Sequence, residues 1–300
     1  MLCQACAFAC EKKVVPIIQT DSNPLNRILA EGCIKPVFQP IVSLQDGRIF
    51  GYEALSRVSN SSIAIGVEQL FRLADKADRA WDLETLCRAK ALAGAANIAQ
   101  DKLLFLNVNP NIIYDAKFNE GFTKRHLGAY GIRPENVVFE ITERVAVLDR
   151  KAFLVAIQHY RNQQYGIAID DVGAGYSGLK TIADVKPNLM KMDMSLVRNI
   201  DKDEIKQLLC KAMVDFGKSA NISLIAEGIE TEEELKTVIT LGVDYGQGFF
   251  LGIPQDSFLD IAEEKKEVIT RYQSKRYFDK IKSSVYPVFG NLFRPGYIYL

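Results

Sequence analysis

Along the chain, short apolar runs alternate with longer amphipathic stretches, a pattern that predicts strands separated by helices. Val37–Leu44 and Arg48–Val58 read as two strands joined through Gln45-Asp46-Gly47. An Asp-Gly step between apolar runs is a strong hairpin signal, so the first strand is expected to run antiparallel to the second. Downstream, strands are predicted at Leu103–Val108, Val137–Thr142, Ile167–Ile169, Leu189–Asp193, Ile222–Ala226 and Val243–Phe250. Helical patterns fall between them, at 67–97 with a break near Lys76–Asp78, at Leu148–Gln163, and at Ile200–Ser219. Thr231-Glu232-Glu233-Glu234 has the capping-box spacing of a further helix start, which assigns Glu234 a structural task. Eight strands with intervening helices predict an α/β fold, a TIM-type (β/α)8 barrel with an antiparallel first strand. Residues 1–23 read as an irregular leader and 24–256 as the barrel, which opens on a short helix after Asn23-Pro24. The remainder, 257–300, is expected to hold a charged helix (Asp256–Lys282) that leaves the barrel, then an aromatic tail. That abrupt aromatic ending suggests a natural chain that continues into a further domain.

The same periodicity places polar side chains at strand ends. Glu53, Leu55 and Arg57 fall at i, i+2 and i+4 and share a face. A carboxylate and a guanidinium so placed suit metal and phosphate, or equally a surface ion pair on an edge strand. Asn107 ends its strand, where it could ligate a hard cation or cap the next turn. Glu140 lies between Phe139 and Ile141, and burial there demands a partner or a metal. Asp170 and Asp171 stand where the fifth strand ends, followed by Gly173 and Gly175, which permit a tight loop. Lys191 and Asp193 share one face of the sixth strand. Glu227 follows the seventh, and Gln247 sits between two glycines that suggest close approach by another segment or a ligand.

Composition narrows the chemistry. Lys+Arg and Asp+Glu both total 37, so no global field favours a nucleic-acid polymer or an anionic membrane. Met1 to Val15 lacks a continuous apolar core, and no run approaches the roughly 18–20 apolar residues of a membrane span. A cytoplasmic protein is expected. Only two histidines occur, His126 and His159, both in helical segments, which argues against a Ser-His triad. Cys87 and Cys210 read as buried, inert thiols. Cys3, Cys6 and Cys10 form C-x2-C-x3-C, with Cys33 as a candidate fourth ligand; the cluster is either a metal site or a set of free or redox-active thiols. At the barrel mouth the inventory is oxygen-rich, five carboxylates with amides and a lysine, and such a set suits Mg²⁺ or Mn²⁺. Two cations bridged by Asp170 would activate water and steady a leaving phosphodiester oxygen. Lys191 could orient or deprotonate that water.

Seven ordered motifs carry a resemblance: FQPIVSLQDGRIFGYEALSR, LNVNP, FEITE, IDDVGAGYSGL, KMD, AEGIET and GQGFF. Across roughly residues 24–256 the chain resembles the EAL-domain family of cyclic di-GMP phosphodiesterases. The resemblance implies hydrolysis of cyclic di-GMP to linear pGpG with two Mg²⁺ or Mn²⁺ ions, in a homodimer. It implies Glu53, Asn107, Glu140, Asp170 and Glu227 as ligands of the first metal, with Asp171 helping to hold the second. Lys191 would be the general base or water-orienting group, assisted by Gln247, and Glu143 would brace the loop 172–178 toward the dimer interface. Gln39, Leu55 and Arg57 would contact substrate. Val172 and Ala174 stand where the family usually shows Phe and Thr, and Asn109 where Ser is common. None of these removes a ligand. The competing class is a catalytically silent cyclic di-GMP receptor or scaffold, whose members usually lose part of the metal and lysine set.

Overall fold

A computed structural model of the chain describes residues 23–109, 121–142, 150–174 and 178–289, and the account below concerns those residues. Eight strands close into a barrel in the order β1 to β8: Ile34–Ser43, Ile49–Val58, Leu103–Asn107, Val137–Thr142, Gly166–Val172, Leu189–Met192, Ser223–Ala226 and Tyr245–Gly246. β1 pairs antiparallel with both β2 and β8, while every pair from β2 to β8 is parallel. The turn between β1 and β2 uses Gly47 at φ +72°, a conformation glycine adopts without a Cβ penalty.

The helices follow the expected punctuation. α1 (Pro24–Glu31) has Asn23 as its cap, accepting from the Leu25 amide, and stops at Gly32 at φ +64°. α2 (Val67–Lys76) and α3 (Ala80–Gly94) are separated near the predicted break, α4 covers Phe122–Tyr130, and α5 covers Arg150–Asn162. α6 (Gly178–Val185) and the short α7 (Met194–Val197) precede α8 (Glu204–Ala220) and α9 (Glu232–Leu241). The single helix expected over 200–219 is broken instead. A 3-10 turn at Ile200–Lys202 ends at Asp203, whose carboxylate accepts from the Ile205 and Lys206 amides and restarts the chain as α8. The capping box of α9 is present as predicted, and Glu234 also accepts from the Asn199 amide.

Two other expectations need correction. β8 spans two residues rather than Val243–Phe250, because beyond Gly246 the backbone pairs with the 226–229 segment: Gln247 N donates to Ala226 O and Ile229 N to Gln247 O. A Cβ on Gly248 would lie 2.2 Å from the Ile229 backbone, so this crossing depends on glycine. The C-terminal helix, α10, runs Glu263–Phe289 rather than from Asp256, and its early turns stay on the barrel. Val268 and Ile269 are buried in the main core, Tyr272 donates to Glu232, and Gln273 donates to the Leu44 carbonyl at 2.6 Å. The preceding stretch is irregular and seats Ile261 in that core.

The short β8 leaves most of one β1 edge open. Phe38 exchanges both backbone hydrogen bonds with Gln255 there, at 2.7 and 3.0 Å. The two neighbouring amide positions on that edge are Pro36 and Pro40, which have no N–H to leave unsatisfied. The main core packs helices against the outer strand faces, and a smaller cluster of α1, α2, α3 and the β1–β2 ends forms a lobe beside the mouth. Inside the barrel, Ile41, Phe105, Val138, Ala168, Leu189 and Ile225 form an apolar floor. Gly51 makes room for it, since a Cβ there would sit 2.5 Å from the Leu103 carbonyl oxygen and 2.9 Å from the Phe105 ring.

Candidate active site

Because side chains alternate along a strand, the residue two positions toward the mouth from each floor residue also points inward. From Phe105, Val138, Ala168, Leu189 and Ile225 that step reaches Asn107, Glu140, Asp170, Lys191 and Glu227; antiparallel β1 steps backward from Ile41 to Gln39. The barrel thus turns from apolar to charged within one pleat. Lys191 is 1% exposed, and its ammonium lies 2.8 Å from Glu140, 2.8 Å from Glu227, 3.3 Å from Glu53 and 3.4 Å from Asp170. Glu53 is gripped from both sides. Asn107 Nδ2 donates to one carboxylate oxygen at 2.8 Å and Gln247 Nε2 to the other at 2.7 Å. Gln247 also donates to Gln39 Oε1 at 3.0 Å, and Gln39 in turn donates to the Gly252 carbonyl.

Asp170 and Asp171 are adjacent, so a regular strand would send them to opposite faces. β5 instead changes register between Ile169 and Val172, and Asp171 adopts φ +57°. Asp tolerates that left-handed conformation better than most residues. The irregularity lets Asp170, Asp171 and Glu227 each present an oxygen within 4.8 Å of the others. The aspartates therefore lie within a strand that continues to Val172, not at its end as the apolar run suggested.

Electrostatics express the crowding. Burial, together with the Glu53 charge, pushes the Glu140 carboxyl well above its ordinary range despite Lys191. Burial likewise lifts Glu227 to about 8 against the pull of Lys191. For Glu53 burial also acts upward, but the Lys191 charge and the Gln247 and Asn107 hydrogen bonds outweigh it and leave a lowered pKa. Lys191 would be lowered by burial, yet Asp170, Glu140, Glu227 and Glu53 hold it well above the ordinary lysine value.

Four carboxylates (Glu53, Glu140, Asp170, Glu227) thus share one ammonium, and Asp171 adds a fifth carboxylate beside Asp170 and Glu227. Glu140 Oε2 is buried with no hydrogen-bond donor among the described residues, and Asp170 Oδ1 lies 3.4 Å from the shared Lys191 ammonium. Under-satisfied buried carboxylate oxygens, hard donors and excess negative charge are what divalent Mg²⁺ or Mn²⁺ would satisfy. The residues present fit such ions.

A cavity of about 260 Å³ opens over this cluster, lined by Gln39, Glu53, Leu55, Asp171, Glu227 and Gln247 among others. Leu55 and Arg57 also line a larger cavity of about 430 Å³, together with Asn107, Asn109, Glu84 and Arg88. Arg57 stands apart from the carboxylates, exposed, with Nη1 donating to the Ser56 carbonyl. Asp193 lines the smaller cavity, but its carboxylate caps α7 by accepting from the Ser195 amide at 2.9 Å. Glu143, like Cys3, Cys6 and Cys10, lies outside the described residues. Cys33 donates toward Glu31 at 3.2 Å, and that contact raises its thiol pKa, which disfavours the thiolate a metal would need. Cys87 and Cys210 are pushed up by burial to about 11 and about 12, in keeping with inert thiols.

One pair escaped the sequence reading. Glu84 and Arg88 lie on the buried side of α3 with Trp81, Ala91 and Leu92, and form an ion pair there. Burial raises Glu84 to about 6 despite the arginine. The i, i+4, i+7 stripe that they share with Ala91 was the available signal.

The sequence profile of the EAL domain matches residues 22–254, and the chain belongs to that family. Among solved structures, it is similar to a standalone EAL protein from Vibrio cholerae O395 in its c-di-GMP bound form. That match has 33% identity and a TM-score of 0.65, and covers 77% of this chain and 96% of the other. Klebsiella pneumoniae BlrP1, in a calcium and cyclic di-GMP complex, gives 28% identity and a TM-score of 0.70 over 76% of this chain and 58% of that one. Among curated proteins, the cyclic di-GMP phosphodiesterase RocR of Pseudomonas aeruginosa is 27% identical over 245 residues, 78% of this chain and 61% of RocR. The match spans 38% of uncharacterized mycobacterial relatives from Mycobacterium bovis and Mycobacterium tuberculosis. Among the described residues no helix is long and apolar enough to cross a membrane.

Proposed function

We propose that the chain is a metal-dependent phosphodiesterase that hydrolyses cyclic di-GMP to linear pGpG. The observation that carries this reading is the cluster of carboxylates around a single ammonium, with a buried donor-less oxygen on Glu140, at the mouth of an EAL barrel. Glu53, Asn107, Glu140, Asp170 and Glu227 would hold one Mg²⁺ or Mn²⁺ ion, and Asp171 would help to hold a second. When bound, such ions supply a polarised water and neutralise charge on the phosphodiester.

The chain's own groups do the rest. Gln247 and Asn107 fix both oxygens of Glu53, so this carboxylate is aimed before any ligand arrives. Lys191, fully enclosed by carboxylates that favour its ammonium form, would orient the attacking water and offset negative charge developing on the phosphate. Gln39 and Leu55 border the cluster, and Arg57 at the adjoining wall would meet phosphate or nucleotide groups. Glu143 would brace the loop after β5 toward the interface of a homodimer. A silent receptor is less favoured, because the sequence retains each member of the metal and lysine set.

The test is turnover of cyclic di-GMP by purified protein with Mg²⁺ or Mn²⁺, beside a Glu53→Ala control. Linear pGpG from the wild type alone is the expected result. Tight binding without turnover in either metal would leave the receptor.

A further inference from the structure

Glu84 and Arg88 form a buried ion pair, with side chains 6% and 5% exposed, on a helix outside the barrel interior. Stability alone does not explain them. Replacing such a pair with apolar residues of similar volume is often neutral or stabilising, because desolvating two charges offsets their attraction. Their contacts point elsewhere. One Glu84 oxygen pairs with Arg88, and the other accepts the backbone N–H of Asn109 at 3.3 Å, two residues beyond Asn107. The Arg88 guanidinium lies 5.5 Å from the centre of the Phe139 ring, next to Glu140, and donates to Thr123 on α4 at 3.2 Å. One ion pair therefore reaches the segment just beyond β3 and the middle of β4, the adjacent strands that present Asn107 and Glu140 in register. It also forms part of the wall of the 430 Å³ cavity beside them.

We propose that Glu84 and Arg88 are positioning residues, which hold the mouth ends of β3 and β4 so that Asn107 and Glu140 converge on the cation site; this rests on the metal-dependent reading above. The contacts of the pair named above are with each other, Thr123, the Asn109 backbone and the Phe139 ring, not with the carboxylate cluster. Its effect would pass through the Asn109 backbone and the Phe139 ring. Groups that orient metal ligands typically change affinity or activity by about 10–100-fold when removed.

The test compares wild type, Glu84→Gln, and the double variant Glu84→Met with Arg88→Met. Mn²⁺ binding to chelator-treated protein is followed by electron paramagnetic resonance, with thermal unfolding, amide exchange at Asn109 and the kcat/KM split for cyclic di-GMP alongside. The double variant is expected to unfold near the wild-type temperature, bind Mn²⁺ about 10–100-fold more weakly, and exchange Asn109 faster. The Gln variant keeps an oxygen for the Asn109 N–H but leaves Arg88 unpaired, so it is expected to unfold at a lower temperature while holding Mn²⁺ within about threefold of wild type, which also covers a double variant that fails to fold. Wild-type Mn²⁺ affinity in a folded double variant would overturn the proposal, as would equal loss of affinity in Glu84→Gln. If the wild type binds Mn²⁺ but leaves cyclic di-GMP intact, the substrate assignment falls while the Mn²⁺ and exchange readouts still decide the positioning role. A wild type that binds no Mn²⁺ overturns both.

Discussion

The lower and upper layers of the barrel interior are built by the same strands and obey opposite rules. Below, Ile41, Phe105, Val138, Ala168, Leu189 and Ile225 gain by leaving water, at about 25 cal/mol per Å² of apolar surface. Two residues nearer the mouth, roughly 6–7 Å along a strand, buried Glu140 and Lys191 and half-buried Asp170 and Glu227 are held where charge is costly unless paired. The floor is complete in itself. The mouth is not, since one ammonium faces several carboxylates and a buried Glu140 oxygen still lacks a donor. One fold thus separates stability from chemistry by a single pleat, and the layers should respond differently to the same perturbations.

The largest effect is expected from Phe105→Ala, which empties the floor and should cost about 3–5 kcal/mol. Denaturant unfolding should show the same loss with chelator and with Mn²⁺; a metal-dependent loss would mean that the layers are not independent. Lys191→Met should cost about 3 kcal/mol or more in metal-free protein, because it strips the buried carboxylates of their cation. That loss should shrink when Mn²⁺ is added, and an equal loss under both conditions would break the contrast. Gly51→Ala should destabilise by about 1–3 kcal/mol, as its Cβ meets the Leu103 backbone and the Phe105 ring, again without regard to metal. Thr231→Ala should cost about 1 kcal/mol through the lost α9 cap and leave Mn²⁺ affinity unchanged.

Much of this contrast was legible in the sequence, for a physical reason. Strand periodicity is local, so Glu140 between Phe139 and Ile141, and Lys191 between Met190 and Met192, announce a charge on an inward face. The Asp46-Gly47 turn announced the antiparallel first strand just as directly. What stayed hidden depends on partners distant in sequence. The register change that brings Asp170 and Asp171 together arises in pairing with β6. β8 stops early because its backbone finds 226–229, and α10 stays on the barrel through contacts with Leu44 and Glu232. Glu84 and Arg88 look like an ordinary exposed i, i+4 pair until the packing of α3 carries their side chains to Asn109 and Phe139.

The measurement that bears most directly on the account is the count and affinity of Mn²⁺ ions bound by chelator-treated protein, compared with Glu53→Ala and Glu140→Gln. The account predicts saturable binding of about two ions per chain in the wild type, and affinity at least about tenfold weaker in either variant. No saturable binding, or binding unchanged in both variants, would contradict the claim that the charged upper layer is a cation site.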